Sequence, residues 1–212
     1  MSILEEQIVA TLCPGMAIPP SLRQLFDWIE RQGLDDCLFR PSAGSARTET
    51  ERPGGTDISF RAEGNEYIGS WLGNDDPKVL SRVCVFAKTG GDGSMAAFWL
   101  DDEGRQRIVH LGSGSGSCLT CVLADDPVDF LRLLAIGYDE ICWSQRFALP
   151  PNEGLVEGEV FVHPNVPYQR WVEDTFGVRI PRTASEILKV WPDMDDDESP
   201  DPFWRWVRQN RG

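Results

Sequence analysis

The stretch that decides the fold is Ser94–Leu123, SMAAFWLDDEGRQRIVHLGSGSGSCLTCVL. Two apolar-rich segments, Ser94–Leu100 and Arg105–Leu111, flank Asp101-Asp102-Glu103-Gly104, a four-residue turn with glycine where a positive φ is needed. A third segment, Leu119–Leu123, follows Gly112–Ser117 (GSGSGS). Strands joined by such short connections pair antiparallel, because a parallel pair needs a long crossover.

Working outward toward the C-terminus, Asp126-Pro127 opens a helix by two coinciding rules. Asp is a good N-cap, worth ~1 kcal/mol over Ala, and Pro fits the first helical position. Val128, Phe130, Leu131, Leu133, Leu134 and Ala135 make that helix apolar nearly all round, and Gly137 ends it. Beyond Leu149-Pro150-Pro151 the chain is turn-rich to Pro167. A helix is predicted from about Tyr168 to Phe176, burying Tyr168, Trp171, Val172 and Phe176. Thr183 and Glu186 have capping-box spacing ahead of Ile187, Leu188 and Val190, so a further helix is expected there, ended by Pro192. Asp193–Asp201 carries six acids and no base, and Pro202–Arg208 (PFWRWVR) reads as a short aromatic helix or tail.

Toward the N-terminus, Val83–Phe86 is a continuous apolar run suited to a strand buried on both faces. Ile58-Ser59-Phe60 alternates, and Tyr67–Leu72 is a further apolar segment. Residues 40–56 hold Pro, Gly, Ser and Thr without apolar periodicity, a loop. Leu22, Leu25, Phe26 and Ile29 sit at one-face helical spacing, with Gly33 placed to stop the helix. Ser2 can cap a first helix, with Glu5 at the reciprocal position. Helices, then antiparallel strands, then helices make an α+β pattern. The expected architecture is a single domain with an antiparallel-rich, mixed sheet backed by helices. Residues 1–150 form its core, and 151–212 a helical extension packing on that core.

The 212 residues include 20 Lys and Arg against 34 Asp and Glu, a net charge of −14. That balance disfavours nucleic acid, whose binding depends on Lys and Arg displacing condensed counterions. It disfavours anionic membranes for the same reason. Such a field either keeps a protein soluble or draws in a basic partner. No signal peptide or apolar span is evident, and six scattered Cys are too sparse for a disulfide scaffold. Reduced thiols and a cytoplasmic protein are expected.

Candidate chemistry is thin. Of two histidines, His110 falls in a strand, where a hydrogen-bonded structural role is expected, and His163 precedes Pro164 in a loop. Cys118 and Cys121 form a CxxC without a second pair, and the strand setting sends them to opposite faces. GSGSGS lacks the Lys-Ser/Thr of a phosphate loop and leads into a strand, so it reads as a flexible connection. The acid run lacks the Gly and spacing of a calcium loop. No catalytic residue, metal site or cofactor is therefore assigned. Of the eight Trp, four read as core (Trp28, Trp71, Trp99, Trp171). The other four (Trp143, Trp191, Trp204, Trp206) either anchor a partner or pack the C-terminal segment.

Several blocks taken together resemble the SUKH superfamily. They are IPPSLRQLFDWIE (Ile18–Glu30), VFAKTGGDGSMAAFWL (Val85–Leu100), Ile108–Gly116, VDFLRLLAIGYDEI (Val128–Ile141) and YQRWVEDTFGVRIP (Tyr168–Pro181). The resemblance implies an α+β fold without catalysis. Bacterial members look like immunity proteins that bind and neutralise a cognate polymorphic toxin, often a nuclease, and a fungal relative regulates cell-wall synthesis through protein contacts. A protein partner is expected on this basis, with Trp143, Asp195, Asp196, Asp197 and Glu198 as the candidate contacts. Gly91-Asp92-Gly93 is expected to be a structural turn, its glycines permitting positive φ and Asp92 bonding nearby backbone N–H groups. The alternatives are an adaptor without a toxin partner and a metal-dependent hydrolase built on Asp/Glu clusters and one His.

Overall fold

The computed structural model describes residues 1–39, 54–157, 161–192 and 198–212. Most of the polar 40–56 loop and Asp195, Asp196 and Asp197 lie outside the described residues. The chain opens with α1 (Ile3–Thr11) and α2 (Pro20–Arg31). Ser2 Oγ accepts the Glu5 N–H at 3.1 Å, as the capping spacing implies. Glu5 does not complete a capping box; its carboxylate pairs with Arg23 at 3.3 Å and ties α1 to α2. Helix α2 buries Leu22, Leu25, Phe26 and Ile29 as its period requires. Gly33 (φ +65°) then turns the chain.

Five strands follow: β1 (Ser59–Gly64), β2 (Val83–Lys88), β3 (Met95–Leu100), β4 (Gln106–Leu111) and β5 (Thr120–Ala124). They lie side by side in chain order, and every pairing is antiparallel, so the sheet is not mixed. Between β1 and β2 come the short helices α3 (Ile68–Leu72) and α4 (Pro77–Leu80). The apolar segment at Tyr67–Leu72 is thus helical. After β5 come α5 (Pro127–Ile136), α6 (Val166–Phe176) and α7 (Pro202–Asn210). Helix α5 starts as expected: Asp126 Oδ1 accepts the Val128 N–H at 2.8 Å, and Pro127 fills the first position.

Alternation along the strands divides the interior in two. On one face Phe60, Cys84, Phe86, Phe98, Ile108 and Leu123 meet side chains of α1, α2, α5 and α6. On the other, Val83, Val85, Ala97, Trp99 and Val109 meet Ile68 and Leu72 of α3 and Phe203, Trp206 and Val207 of α7. Strand β2 is buried on both faces because each of its sides has a helical cover, which is why its sequence is continuously apolar. The stretch beyond residue 150 fills both cores: Tyr168 and Val172 enter the first, Phe203 and Trp206 the second.

The segment after Thr183 differs from its capping-box reading. One 3-10 turn forms at Ala184–Glu186. Its backbone is committed elsewhere: the Ala184 N–H donates to Tyr138 Oη at 2.9 Å and the Ser185 N–H to Phe147 O at 3.0 Å. The Glu186 carboxylate accepts the Arg182 N–H at 2.7 Å, with a weaker contribution from the Thr183 N–H, but the Thr183 side chain makes no cap bond in return. Tertiary bonds outcompete local propensity here.

Candidate functional site

The Gly91-Asp92-Gly93 turn joins β2 to β3, and its carboxylate reaches well beyond the turn. Asp92 Oδ1 accepts the Ser94 N–H at 2.9 Å, and Oδ2 accepts the Ser94 hydroxyl at 2.9 Å. Oδ2 also accepts the Ser113 hydroxyl and the Ser117 N–H, both at 2.8 Å. Burial by itself would raise this carboxyl, but these donors, the Ser94 and Ser117 amides foremost, hold it below the ordinary carboxylate range. Asp92 bonds nearby backbone N–H groups, and of the two turn glycines Gly93 has a positive φ (+93°) whereas Gly91 does not. The GSGSGS stretch is consequently strapped to the β2–β3 turn and is not a slack connection. A Cβ at Gly116 would sit 2.8 Å from Asp92 Cβ, and one at Gly112 would sit 2.6 Å from Ser117 O, so close approach excludes side chains at both.

A third segment joins them through Glu140. Its Oε1 accepts the Gly91 N–H at 2.6 Å, and its Oε2 accepts the Trp143 indole N–H at 2.6 Å. Two features read separately from the sequence, the glycine-aspartate-glycine turn and Trp143, are therefore neighbours through one carboxylate. Glu140 lies inside the Val128–Ile141 block, but nothing in that block marks it as a site residue, and its turn partner is 49 residues away.

Trp143 is half-buried between two cavities. One, about 440 Å3, is lined by Tyr138, Glu140, Arg146, Leu155 and Val162 among others. The other, about 270 Å3, is lined by Ser117, Cys118, Cys142 and Pro192 among others. Leu155 on the wall of the first is exposed, as are Val156 at 66% and Phe161 at 57%. Pro192, on the wall of the second cavity, directly precedes the acid run in sequence, and Glu198 within that run is exposed. Trp204 and Trp206 are buried and pack the C-terminal helix, and Trp191 packs on Phe147 at 6.1 Å.

Of the remaining reactive groups, His163 is exposed and Cys118 half-buried, while His110, Cys121 and Cys142 are internal. His110 is fully buried. Its Nδ1 lies 2.8 Å from Leu119 O, an acceptor, so Nδ1 carries the proton and Nε2 accepts from Thr89 Oγ1 at 2.8 Å. Burial pushes its pKa down to about 4, against smaller opposing effects from the Leu119 bond and the Asp92 charge. Cys121 lies opposite His110 in the β4–β5 register and is fully buried. Burial raises its thiol and that of Cys142 well above the ordinary range, so neither supplies a thiolate at neutral pH. Among the described residues, no three His, Cys, Asp or Glu side chains gather as metal ligands would, and no helix is long and apolar enough to cross a membrane.

No protein-family model matches the chain, and no curated protein or solved structure is significantly similar to it.

Proposed function

We propose that this chain is a non-catalytic protein-binding module, an immunity protein that neutralises a cognate toxin in the cytoplasm of the cell that makes it. The observation that carries the binding reading is the setting of Trp143. It is held by Glu140 between two cavities, and it shares the wall of the larger one with the exposed Leu155 and with the charged Asp139 and Arg146. A fixed, half-buried Trp with apolar surroundings and a charged rim is the anatomy of an interface anchor. The −14 net charge favours a basic partner, such as a nuclease. The SUKH-like residue blocks support the toxin link. The group that a hydrolase built on one histidine would need as its base, His110, is sealed inside the sheet with both ring nitrogens engaged.

Co-expression with the product of each neighbouring gene, followed by capture and toxicity assays, tests the proposal. A neighbouring toxin should be bound and silenced, and Trp143→Ala should weaken that complex about 30-fold, the loss typical of an interface hot spot. A neighbouring toxin that is neither bound nor silenced overturns the immunity role. A bound neighbour that is no toxin would instead make the protein an adaptor.

A further inference from the structure

We infer that a second site, remote from Trp143 and independent of the partner it contacts, binds a small ligand bearing an oxyanion. It lies between the Asp101–Arg105 turn of the β3–β4 hairpin and one face of α7, in a cavity of about 440 Å3. That volume suits a small molecule. Residues Pro202, Arg205, Trp206 and Gln209 of α7 form its helical wall. Their spacing places them on one side of the helix.

The observation behind this assignment is a pair of indole N–H groups. Trp99 and Trp206 both line the cavity, are 2% and 4% exposed, and pack with ring centroids 5.9 Å apart. Neither Nε1 has a hydrogen-bond partner, and they are the two buried side-chain polar atoms among the described residues of which this is true. Elsewhere the fold provides acceptors for such groups: the Trp71 indole donates to Gly112 O at 2.8 Å, and the Trp143 indole to Glu140. Buried donors are nearly always paired, so two unpaired ones on a single cavity wall call for an acceptor from outside the chain.

The charges on the wall indicate what kind of acceptor. Asp101 is already shared by Arg105 and Arg107, at 2.9 and 3.1 Å, and Asp102 is held by Arg82 at 2.7 Å. Arg205 is exposed and forms no ion pair among the described residues. Glu103, also on the wall, is paired with Arg105 at 3.0 Å; the two buried indoles and Arg205 are left as unmatched donors, two neutral and one cationic, the complement of a carboxylate or phosphate group. Arg205 and Gln209 are long, exposed side chains, and their rotamers change readily enough to give a ligand access to the indole edges.

The test is a titration of the 15N-labelled full chain with inorganic phosphate and, separately, with acetate, at ionic strength matched with sodium chloride. The Trp99 and Trp206 indole N–H resonances are assigned from Trp99→Phe and Trp206→Phe. Through-space contacts in the intact protein supply the assignment if either variant does not fold. Both resonances should shift and saturate with at least one anion, and which anion does so separates a phosphoryl ligand from a carboxylate ligand. Arg205→Gln, an exposed change, should weaken that binding about tenfold. If neither anion gives saturation, if the saturating shifts fall on other indoles, or if Arg205→Gln titrates like the parent, the assignment is wrong.

Discussion

Asp92 shows how much one side chain can organise. Its carboxylate accepts from two backbone amides and two hydroxyls belonging to two connections on the same end of the sheet. Asp92→Ala strands those donors and is expected to cost about 3 kcal/mol, read as a loss in urea midpoint or melting temperature. Gly116→Ala sets a methyl against Asp92 Cβ at 2.8 Å and is expected to cost about 2 kcal/mol. Because the two residues touch, the double variant should fall short of the sum. His110 makes a pH prediction. Its folded pKa of about 4 lies below the ordinary 6.5, so its contribution is complete above about pH 6.5 and is lost progressively as pH falls toward 4. The loss is on the order of 3 kcal/mol. Urea unfolding at about pH 7 and about pH 4.5 should show it, and His110→Gln should shrink the difference. An equal pH dependence in both proteins would exclude His110 as its source.

At the scale of the element, α7 does more than cover a face. Its N-cap, Asp201, accepts the Trp204 N–H through Oδ1 at 2.8 Å and the Val122 N–H of β5 through Oδ2 at 3.0 Å. Burial lifts this carboxyl above its usual range despite those donors. Asp201→Ala should cost about 2 kcal/mol, and hydrogen exchange should quicken first at Val122 and along α7 while β2 and β3 stay protected. Unchanged protection at Val122 would show that the cap does not hold the edge. The β3–β4 hairpin and α5 were legible in the sequence because their determinants are local: a turn glycine, an Asp-Pro start, an apolar period. The 3-10 turn at Ala184 was not legible, because Tyr138 and Phe147, both far away in sequence, take its backbone donors. The same distance hid Glu140, whose two bonds align Trp143 with the turn it supports. Trp99 read correctly as core, yet its unpaired indole is a property of packing that no pattern of residues announces.

For the molecule as a whole, charge acts through the field. With −14 on the chain, association with a basic partner should slow about tenfold or more between low and high salt, while dissociation changes little; stopped-flow mixing measures both. A salt-insensitive association rate would leave the acidity a matter of solubility alone. The two outer strands bear on recognition differently. The outward Val122 amide of β5 is taken by Asp201, and β1 is flanked by the Cys37 bridge and by Asp36, whose carbonyl accepts the Phe60 N–H. Those rungs are closed to a visiting peptide strand, and under the proposed function recognition falls to side chains on loops and cavity rims. Such positions can be exchanged without disturbing a single rung of the sheet, which lets one scaffold drift between partners while its interior stays the same.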